Sequence, residues 1–181
     1  MKENTFIRLY NTAIDLDYCD SLVEKFESHS EQHEHINDKN LSLTQINIFN
    51  YSNWKDDTEK LGRCLIPFID KYKSEFSEHC FPKKYGFEPF KMKRYLPDSE
   101  DCFPPHVDVT GKNNNARFLA FFVYLSDNDE GKTKFDYQDV ITDCAKGSMI
   151  IFPPLWPWVH SGEKPVQVSK YIIGGYLHYI E

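Results

Sequence analysis

Apolar positions change their spacing near residue 80, and that change separates two kinds of predicted element. In the first part, Leu22, Val23 and Phe26 fall at three- and four-residue steps and predict a packing helix from about Cys19 to Ser28. A short strand at Thr5–Tyr10 and an acidic turn at Asp15–Asp17 precede it. Leu61, Leu65, Ile66, Ile69, Tyr72 and Phe76 repeat the helical spacing and predict the main helix across Asp56–His79. Between the helices, polar His29–Asn40 reads as a loop and alternating Leu43–Phe49 as a strand. After Pro82 come short aromatic-rich runs separated by turn residues: Glu88–Tyr95, Arg117–Ser126, Thr133–Tyr137, Ser148–Phe152 and Val166–Tyr179. These predict antiparallel strands. The fold class expected is therefore α+β, with a double-sheet barrel or jelly roll as core and the N-terminal helices covering one face.

Composition narrows this picture. A chain of 181 residues can hide roughly 70% of its unfolded surface. No repeat or linker divides it, so residues 1–181 are expected to form one domain. The 40% hydrophobic and 15% aromatic content excludes a disordered chain. A net charge of −7 argues against general nucleic-acid binding, which needs clustered cations to neutralise phosphates. Cys19, Cys64, Cys80, Cys102 and Cys144 are odd in number and scattered, which favours reduced thiols over a disulfide framework or a structural zinc site. The N-terminal stretch has no apolar run long enough for a signal peptide or a membrane span, so a cytoplasmic protein without a membrane partner is expected.

The candidate chemistry lies in His106-Val107-Asp108, read with His160 and Lys170. With seven His and fifteen Asp, a His-x-Asp triplet arises by composition roughly 45% of the time, so its context must carry the reading. On an extended segment, positions i and i+2 share a face, which brings an imidazole and a carboxylate together. A distant His160 would complete a set of two histidines and one carboxylate, the arrangement of non-heme Fe(II) oxygenases. His33-Glu34-His35 also looks like a metal pair, but its polar surroundings favour solvation.

From Phe90 onward the order of features resembles the 2-oxoglutarate- and Fe(II)-dependent dioxygenases, and within them the prolyl 4-hydroxylase-like group. The resemblance is carried by Lys93-Arg94-Tyr95, His106-Val107-Asp108, Tyr124-Leu125-Ser126, the turn Glu130-Gly131-Lys132-Thr133-Lys134-Phe135, Lys146-Gly147 before Ile150-Ile151-Phe152, His160, and Lys170-Tyr171. Cys19-Asp20-Ser21-Leu22-Val23 is similar to the family's opening helix. The chain departs from the family's Gly-Gly-Glu-Thr-x-Phe turn at Glu130 and Lys132.

This resemblance implies a double-stranded β-helix that binds Fe(II) through His106, Asp108 and His160. It also implies 2-oxoglutarate as cosubstrate and dioxygen as oxidant, with ascorbate admissible as an accessory reductant. Lys170 would pair with the distal carboxylate of 2-oxoglutarate, Tyr124 would donate a second hydrogen bond to it, and Tyr95 would line the same pocket. An intact Asp108 implies hydroxylation of an unactivated C–H rather than halogenation. Arg117 would face the substrate only if a bulge breaks the alternation that otherwise sets it opposite Tyr124. Trp158 would share the face of His160, and Trp156 would serve as a wall residue. Lys91 and Lys93 have the parity of Tyr95, which would make one side of the pocket basic and suit an acidic substrate or segment; solvated lysines on a sheet edge are the preferred reading.

The implied substrate is a prolyl residue in a peptide or protein. The alternatives are a free amino acid or other small metabolite, and a non-catalytic metal-stabilised binding module. A nucleic-acid oxygenase is disfavoured because His160–Tyr171 contains no arginine.

Overall fold

The computed structural model describes residues 5–38, 41–76, 79 and 81–180. The first half contributes β1 (Arg8–Tyr10), α1 (Leu16–Ser28), β2 (Glu34–Asp38), β3 (Leu41–Asn47), and α2 (Lys55–Glu75). The second contributes β4 (Tyr85–Phe87), β5 (Lys91–Tyr95), β6 (Phe103–His106), β7 (Arg117–Tyr124) and β8 (Asn128–Phe135). It ends with β9 (Val140–Cys144), β10 (Met149–Phe152), β11 (His160–Gly162) and β12 (Lys170–Tyr179).

The strands form two antiparallel sheets. The larger runs β1-β10-β7-β12-β5-β3-β2, with β4 also paired to β12, and the smaller runs β6-β11-β8-β9. Strands β5 to β12 alternate between the two sheets, except that β8 and β9 are consecutive in the smaller one, which winds them into a double-stranded β-helix, the jelly-roll core expected from the sequence.

Each strand of the larger sheet has one face toward the helices and one toward the smaller sheet. Leu119, Phe121 and Val123 of β7 and Ile173 and Leu177 of β12 pack with Leu22 and Phe26 of α1 and Leu61, Leu65 and Ile69 of α2. Ala120 and Tyr124 instead join the clusters on the inner side. This alternation is the period of the strand, and it is why helices and site occupy opposite faces of one sheet. Among the described residues, no helix is long and apolar enough to cross a membrane.

Several expectations need correction. Helix α1 begins at Leu16 because Asp15 caps it, its side chain accepting a hydrogen bond from Tyr18 N at 3.1 Å. The segment read as a polar loop holds strand β2, whose side chains are mostly exposed because only its backbone is needed to cover the edge of β3. Its last two residues, 39–40, lie outside the described residues, as do 77, 78 and Cys80. Among the described residues, Cys19, Cys64 and Cys144 are free thiols. The strand read at Leu43–Phe49 lies at Leu41–Asn47, after which the chain tightens into a 3₁₀ turn. Strands β4, β6, β9 and β11 were not anticipated: β4 and β11 are three residues long, β6 carries Pro104-Pro105, and in β9 apolar Ile141 faces outward while Thr142 faces inward.

Gly174 sets the spacing of the central pair. A Cβ there would stand 2.2 Å from the Phe121 carbonyl oxygen and 2.4 Å from Phe122 Cβ. Gly174→Ala is therefore expected to lower stability by about 2 kcal/mol through forced separation of β12 from β7. Urea denaturation checks this, and an unchanged midpoint would contradict the close approach.

Candidate active site

His106 and His160 are direct cross-strand partners of β6 and β11, so the register of the smaller sheet alone brings the two imidazoles together. Their ring centroids are 4.2 Å apart. Strand β6 ends at His106, so Asp108 sits in the bend beyond it rather than on the extended segment expected. That bend is held by its backbone: Asp108 N and Val109 N donate to Pro154 O at 3.0 and 3.1 Å, and Asn114 Nδ2 donates to Asp108 O at 2.8 Å. The result is a ligand set whose atoms lie within 4.8 Å of one another. It is the one such His/Cys/Asp/Glu group found among the described residues.

The hydrogen bonds around this trio aim its lone pairs inward. His106 Nδ1 bonds Pro104 O at 2.8 Å and His160 Nδ1 bonds Trp158 O at 3.1 Å. Each carbonyl accepts the Nδ1 proton, which leaves both Nε2 atoms as acceptors facing Asp108 at 3.6 Å. Asp108 Oδ1 accepts from the Tyr176 hydroxyl at 2.5 Å, whereas Oδ2 is buried with no hydrogen-bond partner. Burial lowers the His160 pKa to about 4, against the opposing pull of Asp108, so this imidazole stays neutral near pH 7. The neighbouring imidazoles and the Tyr176 hydrogen bond outweigh burial at Asp108 and hold its carboxyl below the usual range. Two neutral nitrogens and an orphaned carboxylate oxygen, converging where no proton donor reaches, fit a divalent cation.

The trio opens on a cavity of about 340 Å³ between the two sheets. Lys170 stands in its wall, 2% exposed, opposite Tyr95 on β5 and 5.5 Å from that ring's centroid. Its ammonium has no hydrogen-bond or ion-pair partner among the described residues, and burial lowers its pKa to about 8. Gly131 makes room for it, while Gly162 lies at ordinary contact distance. A Cβ at Gly131 would stand 2.9 Å from Lys170 Cδ, and one at Gly162 would stand 3.6 Å from Nζ. Gly131 lies in the segment read from the sequence as a turn, which the structure places inside β8; Glu130 and Lys132 depart from the family pattern there, but the glycine that this packing requires is retained.

Tyr124 does not reach this pocket as expected. Its buried hydroxyl donates to Thr133 Oγ1 at 2.8 Å and bonds Thr142 Oγ1 at 2.8 Å, so it stands behind Thr133, which does line the cavity. Arg117 lines the cavity because the β7–β12 register shifts between Leu177 and His178, the bulge that its parity required. It is not free there: Nε and Nη2 hold Glu88 at 2.7 and 2.8 Å, and the guanidinium covers the Tyr176 ring at 3.9 Å. Trp158 points away from the cavity, donating to Thr5 O at 2.7 Å and fastening the N-terminal segment. Trp156 is 75% exposed and outside the cavity wall. His33 stacks on Phe26 and His35 bonds Thr44, so neither serves the site.

Residues 90–178 match the family described as the 2OG-Fe(II) oxygenase superfamily, a span that coincides with β5–β12. Strands β5–β12 form a 2OG-Fe(II) oxygenase domain. The oxygenase is an enzyme of the class that uses Fe(II), 2-oxoglutarate and dioxygen. Its fold is similar to that of a viral collagen prolyl hydroxylase from Paramecium bursaria Chlorella virus-1 in its 2-oxoglutarate complex. That match has 18% identity and a TM-score of 0.73, covering 99% of this chain and 98% of the other. A prolyl hydroxylase from Trichoplax adhaerens, bound to a hypoxia-inducible factor peptide fragment, matches with 11% identity and a TM-score of 0.72 over 97% and 84%. The α-ketoglutarate-dependent epimerase SnoN of nogalamycin biosynthesis matches with 10% identity and a TM-score of 0.70 over 96% and 78%. No curated protein sequence matches the oxygenase significantly.

Lys93 was read as a solvated edge lysine in preference to a basic pocket wall, and Tyr176 was not anticipated. Lys93 lines the cavity because β5 is an interior strand, flanked by β12 and β3, where a sheet edge had been expected. Its parity with Tyr95 was the available signal. Tyr176 reaches Asp108 from the far end of β12, six residues after Lys170, and the alternation of that strand would have placed both on one face.

The lowered pKa of Lys170 sets a pH dependence. Between pH 8 and about 10 the unfolded chain holds more protons on this group than the native state does, so raising the pH stabilises the native state through it. Ligand-free wild-type protein is therefore expected to gain stability relative to Lys170→Met as pH rises from about 8 to about 9.5. Paired urea midpoints read the difference, in which the tyrosine and cysteine titrations cancel. A difference that stays flat or falls would contradict a desolvated charge.

Proposed function

We propose that the oxygenase hydroxylates an unactivated C–H, on a prolyl residue in a peptide or protein, and that residues 1–181 act as one catalytic domain. The carrying observation is the inward convergence of His106 Nε2, His160 Nε2 and the unpartnered Asp108 Oδ2 beside a cavity that holds a buried ammonium. The full-length likeness to prolyl hydroxylases, one with a bound peptide, supports the choice of substrate class.

In this reading His106, Asp108 and His160 would hold Fe(II), and the cavity beside them would take 2-oxoglutarate. When bound, the iron and cosubstrate supply the oxidising equivalents for C–H hydroxylation. The protein's own work is positioning. Lys170 pairs with the distal carboxylate, replacing an unpartnered buried cation with a charge-assisted pair. Tyr95 walls that end of the pocket, while Tyr124 holds Thr133 against it. Tyr176 donates to Asp108 Oδ1, which leaves Oδ2 as the oxygen directed at the metal. Arg117, fixed by Glu88, presents a rigid donor edge at the mouth, where a substrate carbonyl can accept.

A second reading, hydroxylation of a free amino acid or other small metabolite, is favoured by the basic residues of the cavity wall and by the likeness to SnoN. Screening proline-containing peptides against free amino acids for stimulated succinate formation separates the two. Stimulation by free amino acids alone would reject the protein hydroxylase.

The metal assignment is tested by variants. His106→Ala is expected to abolish Fe(II)-dependent conversion of 2-oxoglutarate to succinate, and unchanged turnover would sink the assignment. Lys170→Met is expected to raise KM for 2-oxoglutarate about 100-fold, the scale for deleting one member of a buried charge pair. Tyr176→Phe is expected to weaken Fe(II) binding about 10-fold, as loss of a hydrogen bond to a ligand does. Calorimetric metal titration reads the last, and wild-type affinity would remove Tyr176 from its positioning role.

A further inference from the structure

Lys93 is a second ammonium in the cavity wall, and none of the roles above uses it. It pairs with Ile172 across β5 and β12, one step from the Tyr95–Lys170 pair, so the two lysines are diagonal neighbours on one wall, roughly 7–8 Å apart at Cα. Its Nζ lies 4.9 Å above the Phe103 ring, and Phe103 in turn stacks on His106 at 4.0 Å. The ammonium therefore stands one ring's width from a metal ligand. Lys93 is partly exposed and shares the wall with exposed Lys91, whereas Lys170 is sealed. Lys93 thus belongs nearer the mouth, and Lys170 to the closed end.

No carboxylate among the described residues pairs with Lys93. Of the cavity's two acidic groups, Glu88 is bonded to Arg117, and Asp108, bonded to Tyr176, attracts Lys93 without forming an ion pair with it. A neutral molecule filling the cavity would strip water from this cation and return nothing, while an anionic one would form a charge-assisted bond. We propose that the substrate of this oxygenase carries a carboxylate that pairs with Lys93 beside the C–H to be oxidised. The proposal rests on the oxygenase reading above. The carboxylate comes either from an Asp or Glu side chain flanking a prolyl residue or from the α-carboxylate of a free amino acid.

Binding to protein loaded with Zn(II) and 2-oxoglutarate, which does not turn over, tests this by calorimetry with two matched probe pairs. One pair is acetyl-Pro-Glu-amide against acetyl-Pro-Gln-amide, and the other is free proline against prolinamide. In one pair the acid is expected to bind about tenfold more tightly than its amide, as one hydrogen bond to a charged group provides, and the pair that shows it identifies the source. Lys93→Gln should bring that pair within about twofold, while Lys93→Arg keeps the preference. Absence of any acid preference, including absence of binding by every probe, overturns the proposal, as does a preference that survives in Lys93→Gln. Succinate formation by the Fe(II)-loaded protein tests the oxygenase reading separately.

Discussion

A buried carboxylate oxygen without a proton donor is costly, and Asp108 Oδ2 is such an atom, facing the acceptor nitrogens of His106 and His160. All three groups would repel an electron-rich occupant, and only a cation satisfies them together. The surrounding structure exists to keep that unfavourable arrangement from relaxing. Pro104 O and Trp158 O fix the imidazole tautomers, Pro154 O and Asn114 fix the bend at Asp108, and Tyr176 takes one carboxylate oxygen. With donors assigned in this way, neither histidine can rotate to bond the carboxylate itself.

The same logic of uncompensated charge extends along the cavity. Lys170 and Lys93 lie on one wall of the larger sheet, and the anions that might have neutralised them are absent or already bonded. A fold tolerates two such groups only where its remaining core supplies a surplus. That surplus lies on the other face, where the apolar stripes of α1 and α2 pack against β3, β5, β7, β10 and β12. One sheet therefore serves two ends: its outer face carries the hydrophobic stabilisation, and its inner face carries the charges that bind.

Legibility in the sequence followed the range of the interaction involved. The helices were visible because their packing faces repeat at helical steps, and the error at α1 came from a local cap, Asp15, that moves its start. Strand β2 was hidden because an edge strand earns its place through backbone pairing and need not alternate. The clustering of His106, Asp108 and His160 and the nearness of Lys170 could be expected because each sits at a fixed place in an ordered series of motifs. Tyr124, Trp158 and Lys93 were harder to place, because what surrounds each is contributed by segments distant in the chain: Thr133 and Thr142 for Tyr124, Thr5 for Trp158, and flanking β12 and β3 for Lys93.

The sequence by itself pointed to the class of chemistry, since a histidine, an aspartate, a second histidine and a lysine in that order specify which atoms are available to a metal and a carboxylate. It also determined the α+β architecture through two distinct hydrophobic periods. Only the tertiary structure decided which of the available polar groups work at the site. Sheet order placed Lys93 inside, a register shift at Leu177/His178 turned Arg117 into the cavity, and the packing of β7 on β8 and β9 turned Tyr124 out of it. The physical reason is that alternation fixes which face a side chain takes relative to its own strand. What that face meets depends on neighbours that are distant in the chain.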